Sequence, residues 1–239
     1  MKQLLLLGGW AMRPGVWDAL AAHLPHFDCH RPQADWCCRG GLEGLADTLA
    51  AELPPATVVV GWSLGAMVAL QIARRHPQRC AALVLLAATP RFTSSENWPH
   101  GLPPELLQNF RSQMEQSPQA LLQRFCGLQA QGETAPRGVL RALRSHAAGT
   151  DEAAALAAGL DLLAGSDLRP LLPQIQQPVL LLHGSDDSIV PPSAAYYCAQ
   201  HLPRATLIRL AGMGHAPHVS NPALVAAFLQ DWLLHACNG

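Results

Sequence analysis

The stretch ATVVVGWSLGAMVALQIARRHP, residues 56–77, joins a run of valines to a helical pattern through five residues, GWSLG at 61–65. The β-branched valines at 58–60 predict a buried strand. The apolar spacing over 64–75, which ends before Pro77, predicts a helix. Glycines at 61 and 65 remove Cβ atoms that would collide in so short a turn. We therefore expect Ser63 at the tip of the turn, with a strained backbone and an exposed hydroxyl.

The rest of the chain repeats this alternation of strands and helices. Apolar strand patterns occur at 3–7, 58–60, 82–87, 179–182 and 206–210, with a weaker one at 29–31. Helical patterns occur at 17–23, 44–52, 64–75, 192–201 and 222–235. The alternation predicts an α/β fold with a mostly parallel sheet of about six strands and helices on both faces.

One interval contains helical patterns only. Between residues 89 and 167 these patterns lie at 104–113, 118–130, 136–147 and 152–164. They predict a helical cap, residues 91–167, inserted into a core of residues 1–90 and 168–239. Ligands of such folds bind at the carboxyl ends of the strands, so we expect the cap to cover the site.

Composition narrows the class of protein. The 239 residues are 49% hydrophobic, enough for a large core, and the net charge of −1 predicts no binding to nucleic acid or membrane surfaces. The N-terminal apolar run is too short for a secretory signal and predicts a first strand. Seven cysteines without a C-x-x-C pair favour reduced thiols in the cytoplasm. Metal-like spacing occurs at His23, His26, Cys29 and His30, where a solvated loop is the favoured interpretation over a metal site.

Two further segments carry side chains that could complete a catalytic site with Ser63. Asp186 and Asp187 follow the predicted strand at 179–182, and either carboxylate could reach an imidazole above the sheet. His215 and His218 lie on a glycine-containing loop near the C-terminus, and either could lie over the serine. The order Ser, Asp, His along the chain is that of the α/β-hydrolase triad.

On these motifs the chain resembles the α/β-hydrolases, most of all the pimeloyl-acyl-carrier-protein methyl ester esterases of biotin synthesis. The acid of that family lies in a Gly-x-x-Asp-x-x-Val-Pro pattern, which Gly184, Asp187, Val190 and Pro191 match. Its histidine lies in a pattern matched by GHAP at 214–217. The resemblance therefore favours Asp187 and His215. It extends to GWSLG at 61–65, ENWP at 96–99 and RFCGLQAQG at 124–132.

The resemblance implies a serine carboxylesterase that needs no metal ion or cofactor. Ser63 would be the nucleophile, His215 the general base and Asp187 its orienting acid, while the backbone N–H groups of Trp10 and Leu64 would form the oxyanion hole. The reaction would release methanol and a free acid. The family's substrate contacts fall on Trp10, Ser63, Leu64, Phe125, Cys126, Gly127, Leu128, Gln129 and His215.

Two features of the cap bear on the substrate. Leu121, Phe125 and Leu128 share one helix face, which predicts either packing within the cap or the wall of an acyl channel. A stripe of arginines comprises Arg137, Arg141 and Arg144, with Arg124 on the neighbouring helix. The stripe predicts either a solvated face or, as the resemblance implies, a docking surface for acyl carrier protein. We expect the enzyme to act as a monomer.

The sequence departs from the family in the Gly8-Gly9 dipeptide, where His-Gly is usual, and in residues 32–41, which lack a Pro-Gly-x-Gly loop. An aspartate-nucleophile dehalogenase or epoxide hydrolase is excluded by Ser63. Three alternatives stay open: a short-chain carboxylesterase, a lyase or carbon–carbon hydrolase like that of the menaquinone pathway, and a non-catalytic ligand-binding protein.

Overall fold

The structure is a computed structural model that describes residues 2–236. The strands are β1 (Lys2–Leu7), β2 (Phe27–His30), β3 (Thr57–Trp62), β4 (Cys80–Leu86), β5 (Val179–Gly184) and β6 (Ala205–Leu210). The α-helices are α1 (Asp18–Ala22), α2 (Gly41–Glu52), α3 (Leu64–Arg75), α4 (Pro104–Gln116), α5 (Pro118–Gln129), α6 (Pro136–Ser145), α7 (Ala153–Gly165), α8 (Pro192–His201), α9 (Pro217–Ser220) and α10 (Pro222–Ala236). Short 3-10 turns lie at Pro14–Trp17, Thr150–Glu152 and Arg169–Gln174.

The six strands form one sheet in the order β2-β1-β3-β4-β5-β6, and every neighbouring pair is parallel. The predicted fold class is confirmed. β3 and β5 are buried along their whole length, because helices cover both faces of the sheet. The valine pattern at 58–60 underestimated the length of β3, which continues through Gly61 to Trp62, the residue before Ser63.

Side chains alternate between the two faces, as strand geometry requires. Leu5, Leu7 and Val59 pack in one hydrophobic cluster, beneath α2 and α3. Leu4 and Leu6, with alternate residues of β3, pack in the other cluster, which includes residues of α10. The sheet is thus held rigidly from both sides, and its carboxyl edge supplies fixed positions for the loops that follow each strand.

Helices α4–α7 are inserted between β4 and β5. The two ends of this insertion lie side by side: the Leu168 N–H donates to the Pro90 carbonyl at 2.8 Å, and the Arg91 guanidinium lies 3.3 Å from the Asp167 carboxylate. The division into a core of 1–90 and 168–239 and a cap of 91–167 stays a prediction, although the chain leaves and re-enters the sheet layer at one point.

The structure also bears on membrane-spanning segments, on the His and Cys residues with metal-like spacing, and on the cysteines. In the part of the chain that the structure describes, no helix combines the length and apolar composition needed to cross a membrane. His23 directly follows α1, His26 directly precedes β2, and Cys29 and His30 lie in β2. Within residues 2–236 no group of three His, Cys, Asp or Glu side chains is arranged to hold a metal ion. Six cysteines are free thiols, and Cys237 lies outside the described residues.

Candidate active site

Ser63 occupies the junction between β3 and α3 in a strained conformation, with φ of 55° and ψ of −119°. Such a backbone is costly for a non-glycine residue and persists only where its surroundings enforce it. The Ser63 N–H is tied to the Leu86 carbonyl at 3.0 Å. A Cβ on Gly61 would lie 2.6 Å from the Ala66 Cα, and one on Gly65 would lie 2.3 Å from the Leu7 carbonyl oxygen. Both glycines are therefore required by close backbone approach.

The surroundings of Ser63 differ from the expectation of an exposed hydroxyl. The residue is only 8% exposed, because the loop after β1 lies against it. A Cβ on Gly9 would lie 3.2 Å from the Ser63 Cβ, which places the backbone beside Trp10 close to the serine. Leu64 is the first residue of α3, where N–H groups lack partners within the helix.

Asp187 and His215 meet in the interior. The His215 Nδ1 lies 2.9 Å from the Asp187 Oδ2, and both side chains are buried. The other carboxylate oxygen accepts the backbone N–H groups of Ile189 and Val190, each at 2.9 Å. Burial acts to raise the pKa of Asp187, but the electrostatic attraction and the hydrogen bond of His215 outweigh it and hold that pKa below its usual range.

Asp186 and His218, the alternatives to Asp187 and His215, have different surroundings. Asp186 is exposed and accepts a hydrogen bond from the Ser185 hydroxyl. His218 is fully buried between the rings of Trp17 and Trp62, with centroids at 4.3 and 4.5 Å. Burial lowers the pKa of His218 to about 3, so the imidazole is neutral.

The protonation of His215 follows from its partner. A carboxylate only accepts hydrogen bonds, so Nδ1 carries the proton and Nε2 of the neutral ring has a free lone pair. Nε2 is buried and has no hydrogen-bond partner among the described residues. The Trp62 Nε1–H donates to the His215 carbonyl at 2.7 Å, which holds the histidine beside the residue that precedes Ser63.

Sequence reasoning missed His183, at the end of β5. Its Nε2–H donates to the Val190 carbonyl at 2.9 Å and lies 3.4 Å from the Asp187 carboxylate. Burial lowers the pKa of His183, against the attraction of Asp187. The histidine that precedes the Gly184 motif was the available signal, but a histidine at a strand end has many roles.

Glu133, between α5 and α6, was also missed. Its carboxylate accepts the Gly214 N–H at 2.8 Å and the Ser220 hydroxyl at 2.5 Å. Burial raises the pKa of Glu133, and the charges of Asp187 and Asp186 raise it further. The local sequence carries no signal for these contacts, since the partners lie more than 80 positions further along the chain.

Trp10 connects the loop after β1 to the helices inserted between β4 and β5. Its indole N–H donates to the Leu156 carbonyl of α7 at 2.8 Å. The ring meets Phe125 edge-on at 4.8 Å and stacks on Phe110 at 6.4 Å. The inserted helices α4, α5 and α7 therefore pack directly on the loop beside Ser63.

The predicted substrate contacts on α5 divide between different surroundings. Phe125 and Leu128 line an apolar cavity of about 120 Å³, here called the α4–α5 cavity. Its other lining residues are Phe92, Leu102, Leu106, Leu107, Phe110, Arg124, Ser188 and Ile189. Leu121 is buried in the core and does not line this cavity.

The remaining three positions on α5 differ from this pair. Cys126 lines a separate groove with Arg144, and burial raises the pKa of its thiol to about 11. Gly127 is exposed. Gln129 is fully buried, and neither atom of its amide has a partner among the described residues. Its backbone oxygen would lie 3.5 Å from a Cβ on Gly214, next to His215. The contacts of these side chains with a substrate stay predictions.

The four arginines of the predicted docking surface are exposed. Arg124 lies over the Phe110 ring at 5.9 Å, at the rim of the α4–α5 cavity, and donates to the Gln113 amide oxygen at 3.2 Å. Arg137, Arg141 and Arg144 lie on α6 and form no ion pair with another described residue. Their guanidinium groups are available to an acidic partner.

Comparison with known proteins agrees with this fold. Residues 48–222 match the family model of the alpha/beta hydrolase fold. The esterase of Exiguobacterium antarcticum superposes with a TM-score of 0.85 at 17% identity, covering 98% of this chain and 92% of that one, and supports the fold alone.

Among curated sequences, the chain is 42% identical to the pimeloyl-[acyl-carrier protein] methyl ester esterase of Aromatoleum aromaticum, over 95% of this chain and 96% of the relative. It is 39% identical to the protein of the same name from Nitrosomonas europaea, over 92% of this chain and 90% of the relative. The parallel sheet, the strained Ser63 between β3 and α3, and the similarity over nearly the whole chain lead to one conclusion. The chain belongs to the α/β-hydrolases and, within them, to the family of pimeloyl-[acyl-carrier protein] methyl ester esterases.

Proposed function

We propose that this protein is a serine carboxylesterase that hydrolyses the methyl ester of pimeloyl-acyl carrier protein to the free acid and methanol, in biotin synthesis. The observation that carries the proposal is the buried Asp187–His215 hydrogen bond, whose histidine is held by Trp62 next to the strained Ser63. The named activity of the relatives supplies the substrate.

The reaction follows from the protonation states. Ser63 Oγ attacks the ester carbonyl while His215 Nε2 takes its proton, because a serine hydroxyl is a weak nucleophile at neutral pH. Asp187 holds the ring in the required tautomer and stabilises the imidazolium that forms. The ester C–O bond then breaks while the imidazolium gives its proton to the departing methoxide oxygen, so that methanol leaves and the acyl group stays on Ser63 Oγ. A water molecule then attacks the acyl carbon while His215 Nε2 takes its proton. The bond from the acyl carbon to Ser63 Oγ breaks, the imidazolium returns the proton to Ser63 Oγ, and the free acid leaves.

The tetrahedral oxyanion is bound by the backbone N–H groups of Trp10 and Leu64 in this proposal. Leu64 begins α3, so its N–H is unpartnered within the helix and lies at the positive end of the helix dipole. Trp10 follows Gly9, whose backbone lies against Ser63. Removing one such donor commonly costs about 10²–10³ in rate.

The α4–α5 cavity is the proposed site for the acyl chain. Apolar rings and leucines suit the methylene chain, and Ile189 connects the cavity wall to the loop that holds Asp187. The unpartnered Gln129 amide is proposed to bind a polar group of the substrate. Arg124 at the cavity rim, with Arg137, Arg141 and Arg144 on α6, is proposed to dock the acidic carrier protein. The exposed thiol of Cys37 suits the reducing cytoplasm, where we place the protein as a monomer.

The proposal is tested by hydrolysis of pimeloyl-acyl carrier protein methyl ester beside free methyl esters and short nitrophenyl esters. We expect kcat/KM for the carrier-bound ester to exceed that for free esters, with methanol and the free acid as products. Hydrolysis of free esters alone would overturn the substrate assignment in favour of a short-chain carboxylesterase. The absence of all ester hydrolysis would overturn the esterase assignment itself.

A further inference from the structure

Three segments meet beside His215: the turn between α5 and α6 (residues 131–134, the cap turn), the loop after β5 that carries Asp187, and the loop after β6 that carries His215. The Thr134 N–H and hydroxyl both donate to the Gly212 carbonyl, at 3.1 and 2.9 Å. The Asp186 N–H donates to the Met213 carbonyl at 3.0 Å. The histidine loop is thus bonded to the cap and to the acid loop at the same place.

The segments approach each other too closely for intervening side chains. A Cβ on Gly132, whose φ is 83°, would lie 2.0 Å from the Asp186 carbonyl oxygen. A Cβ on Gly214 would lie 2.5 Å from the Gln131 carbonyl oxygen. The cap turn is therefore fixed against both loops by direct backbone contact, and it begins two residues after Gln129, which ends α5.

Glu133 provides the side-chain contacts at this junction. One carboxylate oxygen accepts the N–H of Gly214, the residue before His215, and the other accepts the hydroxyl of Ser220, the last residue of α9. The carboxylate thus spans the two ends of the segment that carries His215. Without it, the buried Gly214 N–H would lose its partner, and the glycines at 212 and 214 would leave the loop freer to move.

We propose that Glu133 is a positioning residue, which fixes the His215 loop through Gly214 and Ser220 and couples it to the substrate-binding segment of α5. The inference rests on the proposed function, since it takes His215 as the general base. In its own contacts Glu133 touches the loop and no reacting atom. The expected effect is therefore on the placement of the imidazole, to which catalytic rates are sensitive.

Three variants separate the hydrogen bonds from the charge. Glu133→Ala removes both acceptors, and we expect kcat for a short nitrophenyl ester to fall about 10- to 100-fold with KM nearly unchanged. Glu133→Gln keeps an oxygen for the Gly214 N–H and an amide for the Ser220 oxygen, so most of the rate should return. Ser220→Ala removes one of the two hydrogen bonds, and we expect a smaller loss in kcat than in Glu133→Ala. This milder variant should fold even if Glu133→Ala does not. Asp161→Ala is the matched control: this cap carboxylate pairs with Arg111 and is in the cap but away from the histidine loop.

A second measurement does not depend on turnover. The Nδ1 proton of His215, bound to Asp187, should give a low-field NMR resonance in the wild type. It should broaden or shift in Glu133→Ala and stay in place in Glu133→Gln and Asp161→Ala. Unchanged kcat and resonance in Glu133→Ala or Ser220→Ala, with only Tm lowered, would overturn the proposal. Equal losses in Glu133→Gln and Glu133→Ala would overturn it too, since charge would then matter rather than hydrogen bonding. If the wild type shows the resonance but hydrolyses no ester, the proposed function is refuted. The positioning role of Glu133 is then still decided by whether the resonance moves in Glu133→Ala and stays in place in Glu133→Gln.

Discussion

The indole N–H of Trp62 donates to the carbonyl oxygen of His215 at 2.7 Å, and it joins residues that lie 153 positions apart. Trp62 directly precedes Ser63, so the turn that carries the nucleophile also anchors the loop that carries the base. The Trp62 ring also packs against the His218 ring, with centroids 4.5 Å apart, so it contacts α9, the helix that directly follows the His215 loop. One side chain therefore sets the relative position of two groups that must meet to within a fraction of an ångström.

Trp62→Phe should uncouple the two groups. We expect a loss of about 1–3 kcal/mol in the free energy of unfolding from the unpaired carbonyl, with a larger loss where the cavity does not close. We also expect kcat to fall about 10-fold or more through the displaced histidine. The matched control is Trp98→Phe, because Trp98 is equally buried and its indole donates to the Arg91 carbonyl at 3.0 Å, away from His215. Denaturant unfolding should show similar losses in both variants, and steady-state kinetics a loss in Trp62→Phe alone. A comparable fall in kcat in both would refute the anchoring role.

Ser63→Ala should abolish ester hydrolysis and leave the fold intact. The change removes one oxygen atom and preserves the Cβ, so little cavity forms and the unfolding midpoint should move only slightly. A serine-directed fluorophosphonate followed by peptide mass spectrometry should label the wild type at Ser63 and leave the variant unlabelled. Labelling of another serine, or a fully active variant, would overturn the assignment of the nucleophile.

Asp187 and Asp186 should differ sharply although they are adjacent. Asp187→Asn replaces the acceptor of the His215 proton and favours the wrong tautomer, which should lower kcat by about 10⁴-fold. Asp186→Asn changes an exposed side chain and should alter kcat by less than about twofold. Steady-state kinetics on a short ester measures both, and circular dichroism checks the fold. Similar losses in the two variants would mean that the acid has been misassigned.

Charge reversal on α6 tests carrier docking. Arg137→Glu with Arg141→Glu should reduce kcat/KM for the carrier-bound ester, most strongly at low salt, because electrostatic steering weakens as ions screen it. Hydrolysis of a small free ester should not change. Arg204→Glu with Arg209→Glu makes the same change in net charge on the loop before β6 and on β6 itself, and it should affect neither substrate. If both substrates suffer equally, the α6 arginines serve the structure; if neither does, the carrier docks elsewhere.

His218 should make the protein sensitive to acid. Its pKa is about 3 in the folded protein and 6.5 when unperturbed, so between these values the unfolded chain binds a proton that the folded chain does not. Stability should therefore fall as pH drops below 6.5, at up to about 1.4 kcal/mol per pH unit from this group. His218→Phe keeps an aromatic ring between Trp17 and Trp62 without the titrating group. Unfolding measured from pH 7 to pH 4 should show a shallower slope for the variant, and an unchanged slope would contradict the assignment.

Local patterns predicted most elements because their limits are encoded locally. The helices at 64–75 and 192–201 were predicted with the bounds observed, since Pro77 and Pro192 mark an end and a start. β2 was displaced by up to two residues, because its half-exposed, four-residue alternation gives little signal. Glu133 and His183 could not be predicted as site residues. The contacts of Glu133 depend on segments more than 80 positions away folding against it, which no periodicity or spacing encodes. His183 contacts Asp187 and Val190 within its own segment, but a histidine at a strand end has many roles, so its position gave too weak a signal.

The narrow connection at Pro90 and Leu168 bears on how the substrate range of such an enzyme can be changed. The two ends of the inserted segment lie side by side, joined by the hydrogen bond between Leu168 and Pro90. A different insert with closely spaced ends could therefore replace it without shifting the pairing of any strand in the sheet. Matching these two ends alone would not give an active chimeric enzyme. The graft would also need an acceptor for the Gly214 N–H where Glu133 now lies and a carbonyl for the Trp10 indole, as Leu156 now provides. The sheet topology would thus accept a different insert, but the hydrogen bonds to Gly214 and Trp10 restrict which inserts leave the site intact.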